Sequence, residues 1–221
     1  MEISYWISRW EKDKTGWHQQ QVNPKLRKYW KSLNISPNPT VLVPLCGKSI
    51  DLQWLSDQAQ KVIGIEVSEK AVREFLEQHA GDYTTQHHGE FVVYQSDAFE
   101  IWQGNYFHMK SSFLGPIDTV YDRAALVSMP PAKRVAYAKK LRELIENRAK
   151  ILLISFDYPQ QEMNGPPFSV PFEEIRQHYG PQYEIEVLHK ENMIESVRKF
   201  NRRGLKSYFF EKVYYLKPNE K

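Results

Sequence analysis

A single cysteine, Cys46, is all the chain carries, which excludes an intrachain disulfide and any metal site built from several thiolates. No apolar run approaches the roughly 18 residues that a membrane-spanning helix needs. The opening stretch "MEISYWISRWEKDK" lacks the basic start and long apolar core of a secretion signal, so a cytoplasmic location is expected. Charge of one sign is missing too: 30 basic residues face 27 acidic ones, a balance of +3. The basic residues are interspersed with acids, so neither nucleic acid nor a membrane surface is an expected partner. No repeat, low-complexity tract, heptad or apolar surface stripe is visible, and a monomer is the default expectation. Glycine is sparse, ten in 221 residues, and never forms the G-x-G-x-x-G of a pyrophosphate-binding loop.

What is present is alternation. "TVLVPL" (Thr40–Leu45) reads as a short strand buried on both faces, and an amphipathic segment with Ile50, Leu52, Trp54 and Leu55 follows it. "KVIGIEV" (Lys61–Val67) is a second buried strand. Ser68 then suits the N-cap of a helix whose inner face is Ala71, Val72, Phe75 and Leu76. Further strands are expected at Glu90–Asp97, Ile117–Asp122 and Lys150–Tyr158. A proline-opened helix, "PPAKRVAYAKKLRELIEN", is expected to turn Val135, Ala138, Leu141, Leu144 and Ile145 inward. A loop "NGPPFSVP", a short helix near Glu173–Tyr179 and two late strands, "YEIEVLHK" and "SYFFEKVYYL", complete the chain. Strands alternating with helices predict one α/β domain over residues 1–221, with a mainly parallel sheet and an antiparallel strand near the carboxyl terminus. Residues 1–39 hold four of the six tryptophans and are expected to form a helical extension over the sheet.

Gly47-Lys48-Ser49 ends as a phosphate-binding loop ends. The full motif G-x-x-x-x-G-K-[ST] requires glycine where this chain has Leu42, and Pro44 removes a backbone donor, so a triphosphatase is a distant reading. A strand, a turn with one glycine and a helix still suit a nucleoside at the carboxyl end of a parallel sheet. Glu66, about twenty residues on, is placed to accept ribose hydroxyls. The ligand matching that description without phosphates is S-adenosylmethionine.

"VLVPLCGKSIDLQWL", "VIGIEVSEKAV", "YDRAALVSMPP", "NGPPFSV" and the amino-terminal "GWHQQQVNPKL" follow one another along nearly the whole chain. Together they resemble the bacterial form of the thiopurine S-methyltransferase family. The resemblance implies a Rossmann-like, class I S-adenosylmethionine-dependent methyltransferase fold. It implies a cofactor site made by Trp10, Leu45, Glu66, Asp97, Ala98 and Arg123, with S-adenosylhomocysteine as product and no metal. Arg123 is also the expected catalytic cation, steadying the methionine carboxylate or an anionic sulfur. Trp17, His18, Phe168, Arg198 and Lys199 are the expected acceptor-binding residues, with Phe168 as the roof. Trp17 stands where many members have phenylalanine, and Lys199 where members have arginine, so acceptor preference is expected to differ.

The expected acceptor is a small-molecule thiol, aromatic or heterocyclic. The rival readings are a methyltransferase for small soft anions (selenium or tellurium oxyanions, halide, thiocyanate) and a non-catalytic S-adenosylmethionine-binding protein. Other features carry plainer readings. Trp6 and Trp10, at i and i+4, would pack on one helical face without any ligand. Cys46 is expected to be a small buried residue. Adjacent His87 and His88 cannot both face one metal from a regular element.

Overall fold

The structure, a computed structural model, describes residues 2–219. The chain forms two compact units, divided between Tyr121 and Asp122.

The first unit opens with α1 (Ile3–Glu11) and α2 (Pro24–Tyr29), followed by a 3-10 turn at Trp30–Leu33. Asn23 caps α2 by accepting from the Lys25 N–H at 2.9 Å, and Pro24 occupies the first helical turn, where its missing N–H costs nothing. Then come β1 (Thr40–Pro44), α3 (Asp51–Ser56), β2 (Lys61–Glu66) and α4 (Glu69–His79). Ser68 caps α4, its hydroxyl accepting from Ala71 N–H at 3.3 Å, and Ala71, Val72, Phe75 and Leu76 form the buried face as their spacing predicts. β3 (Thr84–His88), β4 (Phe91–Gln95), β5 (Phe99–Gln103), α5 (Ser111–Leu114) and β6 (Thr119–Arg123) follow.

Within this unit the strand order is β3-β4-β5-β2-β1-β6. β2 pairs in parallel with β1 and β5, and β1 with β6; β3 and β4 are antiparallel additions at the edge. Glu90–Asp97, expected as one strand of a mainly parallel sheet, instead holds the antiparallel β4, with the unexpected β3 and β5 on either side of it. The parallel partner of β2 is β5, reached through an antiparallel hairpin. Thr84–His88 shows no burial period because every residue in it is exposed, so hydrophobic patterning had nothing to detect there.

The second unit contains α6 (Pro131–Leu144), β7 (Lys150–Asp157), α7 (Phe172–Tyr179), β8 (Tyr183–Asn192), α8 (Arg198–Asn201) and β9 (Phe210–Pro218). β9 lies antiparallel to both β7 and β8, the expected antiparallel strand near the terminus. Helix α6 departs from its expected phase. Val135 is 63% exposed, while Arg134, Tyr137, Ala138, Leu141 and Leu144 face inward. Arg134 takes the inner position because its guanidinium donates to the Ser169 carbonyl and lies beside the Glu174 carboxylate. Tyr137 is inward because its hydroxyl donates to Asp122 Oδ2 at 2.7 Å.

Candidate functional site

β1 ends in a tight left-handed turn. Leu45 adopts φ +49° and Gly47 φ +55°; for a branched residue such as Leu45 the left-handed region is strained, a feature that clusters at ligand clamps. Cys46 N–H donates to the Ile65 carbonyl at 3.1 Å, which ties the turn to β2. The Cys46 sulfur packs on Gly64, where a Cβ would lie 2.7 Å from it. Burial, then the nearby Glu66 carboxylate, push the thiol well above its ordinary pKa. Cys46 is thus the expected small buried residue, and a poor nucleophile.

Glu66, at the carboxyl end of β2, is 5% exposed. Its Oε2 accepts the Gly47 N–H at 2.9 Å and its Oε1 accepts the Ser68 N–H at 2.8 Å. Burial raises its pKa, and the Ser68 and Gly47 N–H groups oppose that rise. The carboxylate therefore shapes the turn as well as facing it. Each oxygen retains a further lone pair, so a diol can still be accepted.

Trp10 of α1 covers the turn. It is buried, and a Cβ on Gly47 would lie 2.7 Å from its Cζ2. Trp17 stands edge-on to both Trp10 and Trp6, with ring centroids 5.7 and 5.3 Å apart. His18 is half-buried in the same segment, its N–H donating to the Thr15 carbonyl. The extension is anchored by Asp51, whose two oxygens accept Asn23 N–H at 2.8 Å and Tyr121 Oη–H at 2.9 Å. A charged chain adds to this: Lys48 meets Glu74 at 2.6 Å, Glu74 meets Lys70 at 2.5 Å, and Lys70 meets Asp13 at 2.6 Å. A cleft of about 600 Å³ opens beside α1 and α4, bounded by Ile7, Val67, Ser68 and Gln103 and rimmed by Glu11 and Lys70. It reaches the residues next to Glu66 without enclosing Trp10 or Leu45.

Asp97 and Ala98 are elsewhere, and this corrects their assignment. They are the two central residues of the hairpin between β4 and β5, where Ser96 N–H donates to the Phe99 carbonyl at 2.9 Å. The Ala98 carbonyl accepts from Val62, near the start of β2. They therefore sit at the amino end of β5, whereas Glu66 is level with Gln103 at its carboxyl end. The residues that follow β5 at the Glu66 end are Gly104, Asn105 and Tyr106. Gly104 N–H donates to the Glu66 carbonyl at 2.8 Å. Asn105 caps a short 3-10 turn by accepting Phe107 N–H at 3.1 Å, and Tyr106 is buried. The signal for them was in the sequence: Phe99 to Gln103 is a short β-prone run followed by a Gly-Asn turn pair.

Arg123 is half-buried at the last position of β6 and Ala124 follows at φ +63°. Phe168 is half-buried in the loop after β7, and Arg198 and Lys199 are exposed at the start of α8. Asp122 is buried between Leu126 N–H at 3.1 Å and Tyr137 Oη–H at 2.7 Å, and burial raises its pKa to about 6.

The turn fits S-adenosylmethionine. A strained strand end, a glycine pressed against an aromatic ring and a buried acid on the neighbouring strand form an apolar cradle with one acceptor for a diol. Among the described residues no group of three His, Cys, Asp or Glu side chains is gathered to hold a metal ion. No helix among them is long and apolar enough to cross a membrane.

Comparison with known proteins agrees with this geometry. The solved structures most like it include an S-adenosylmethionine-dependent methyltransferase from Anabaena variabilis (TM-score 0.66, 13% identity, 97% of this chain and 95% of that one). Another is the Burkholderia thailandensis 1,6-didemethyltoxoflavin-N1-methyltransferase with S-adenosylhomocysteine bound (TM-score 0.63, 11% identity, 97% and 87%). At such identities the likeness shows the fold, that of the class I methyltransferases. Sequence relatives are nearer. A thiopurine S-methyltransferase of Nitrosospira multiformis is 39% identical over 205 residues, 93% of each chain. That of Pseudomonas aeruginosa is 38% identical over 216 residues, 98% of this chain and 99% of the other. The family profile for thiopurine S-methyltransferase matches residues 1–219. On the strength of that whole-length match, and of the turn that Glu66 holds, this chain belongs to the thiopurine S-methyltransferase family.

Proposed function

We propose that the chain transfers the methyl group of S-adenosylmethionine to the sulfur of aromatic or heterocyclic thiols, thiopurines among them. The observation that carries this reading is the Leu45–Gly47 turn held by the buried Glu66 carboxylate, in a chain whose relatives share its full length. S-adenosylmethionine supplies, when bound, a methyl group already activated by its sulfonium charge.

This chain's residues then have definable work. Glu66 would accept the ribose hydroxyls, Leu45 would present backbone at its strained turn, and Trp10 would offer a ring face to a cation, worth roughly 0.5–2 kcal/mol. Asn105 and Tyr106 replace Asp97 and Ala98 as the proposed contacts following the neighbouring strand. Arg123 would hold the acceptor sulfur as thiolate through its guanidinium. An aromatic thiol ionises near neutral pH, so no strong general base is required. Holding two partners close and collinear in a water-poor site supplies most of the acceleration. Trp17, His18, Phe168, Arg198 and Lys199 are the proposed acceptor residues. The proposal also takes the enzyme as cytoplasmic and monomeric, the latter checked by light scattering.

The test is turnover of mercaptopurine together with calorimetry of S-adenosylhomocysteine. Binding with methylated mercaptopurine as product supports the reading. Methylation of selenite or thiocyanate in its place would move the acceptor to small soft anions. Binding without any turnover would make the chain a cofactor-binding protein.

A further inference from the structure

The backbone that frames Phe168 is held at several points. The Phe168 N–H donates to the Val127 carbonyl at 2.7 Å, and the Pro167 carbonyl accepts Tyr158 Oη–H at 2.6 Å. Ser169 N–H donates to Gln160 Oε1 at 2.9 Å. The ring lies directly on Gly165, where a Cβ would come within 2.3 Å of its Cδ1. Two of the remaining carbonyls, those of Asn164 and Pro166, are held by one side chain from almost forty residues away. The guanidinium of Arg203 donates to both, to Pro166 at 2.9 Å.

A second grip runs the other way. The Glu162 carboxylate accepts the N–H groups of Lys206 at 2.7 Å and Ser207 at 2.9 Å, and the Ser207 hydroxyl. Between the two grips Gly204, at φ +112°, lets the backbones touch: a Cβ there would lie 2.6 Å from the Glu162 carbonyl. Under them Tyr158, Met163, Leu205 and Phe209 pack as one buried cluster. The 158–170 loop and the 198–209 segment are thereby one body. The Arg203 fork matches two carbonyls, a geometry lysine cannot reproduce.

We infer that Arg203 and Glu162 are positioning residues for the acceptor, fixing Phe168 as a preformed flat wall that selects planar heteroaromatic thiols. This inference rests on the acceptor reading of Phe168 given above. A preformed wall binds a planar ring without first ordering a loop, so its loss falls on acceptor affinity. A small anion gains little from it.

The test measures mercaptopurine kinetics and S-adenosylhomocysteine affinity for the unaltered chain, Arg203→Gln, Arg203→Lys, Glu162→Gln, Phe168→Ala and the Arg203→Gln/Phe168→Ala pair. The expected result for Arg203→Gln is a KM for mercaptopurine raised about tenfold, kcat changed less than about twofold, and cofactor-product affinity unchanged. Arg203→Lys should fall between it and the unaltered chain. In the Phe168→Ala background Arg203→Gln should add nothing, because its effect passes through the ring. Glu162→Gln should act in the same direction as Arg203→Gln. An unchanged KM, an effect that multiplies with that of Phe168→Ala, or an equal loss of cofactor-product affinity overturns the inference. Failure of the unaltered chain to methylate mercaptopurine would instead overturn the acceptor reading itself, and this inference with it.

Discussion

Both carboxylate oxygens of Glu66 accept backbone N–H groups, so the residue proposed to take a ribose is also the peg on which the Leu45–Gly47 turn hangs. The two roles separate by substitution. Glu66→Gln keeps one acceptor and is expected to weaken S-adenosylhomocysteine about tenfold in calorimetry. Glu66→Ala leaves two N–H groups without an acceptor and should in addition lose roughly 1–3 kcal/mol of stability in urea unfolding. Asp122 offers a test of burial. Its pKa is raised from 3.8 to about 6 because the carboxylate is desolvated. The folded chain therefore holds this proton more tightly than the unfolded one. The stabilisation is complete below pH ~4 and is lost as pH rises through ~6, about 3 kcal/mol in all at roughly 1.36 kcal/mol per pH unit. Asp122→Asn cannot ionise, and its amide can satisfy both Leu126 N–H and Tyr137. Relative to the unaltered chain it is expected to gain up to about 3 kcal/mol between pH 4 and pH 7.5, read from urea unfolding at the two pH values. The placing of Glu66 at a strand end was legible from residue types alone. Its grip on Gly47 was not, because a hydrogen bond across 19 residues has no local signature.

Helix α6 shows what periodicity can and cannot assign. The apolar residues implied one inward face, and Ala138, Leu141, Leu144 and Ile145 do lie there, but Val135 does not. Arg134 and Tyr137 occupy inner positions because Ser169 and Asp122 wait there with acceptors. Such partners arrive from other elements and leave no trace in the helix's own spacing. Val135→Lys is accordingly expected to change stability by no more than about 0.5 kcal/mol. Arg134→Met should cost roughly 1–3 kcal/mol by stranding a buried carbonyl; thermal unfolding of the pair checks both. The link from α1 to α4 makes a different demand. Lys48, Glu74, Lys70 and Asp13 form a chain of charges in which Asp13 is exposed and the other three are half-buried. Glu74→Gln is expected to lower the melting temperature slightly in dilute buffer and by less in roughly 1 M salt, where such half-buried pairs are partly screened.

At the scale of the whole molecule the proposed cofactor contacts lie early in the chain, together with the acceptor residues Trp17 and His18, and the other acceptor residues lie late. Trp10, Leu45, Glu66, Asn105 and Tyr106 lie before residue 122, and Phe168, Arg198, Lys199 and Arg203 lie after it. Substitutions in the first group are expected to show mainly in S-adenosylhomocysteine affinity, and those in the second in mercaptopurine KM. Arg123→Ala should lower kcat at least about tenfold; full turnover would remove Arg123 from the mechanism. The sequence by itself determined the class of fold, the strand and turn at Thr40–Gly47, the capped helix at Ser68 and the family, because each is written in adjacent residues through period, capping and turn chemistry. Tertiary structure alone decided which strand stands beside β2. A hairpin whose first strand is wholly exposed intervenes, and strand neighbours are chosen by packing across the sheet rather than by order along the chain. That choice moved the proposed contacts from Asp97 and Ala98 to Asn105 and Tyr106, and distant partners likewise set the roles of Arg134 and Arg203.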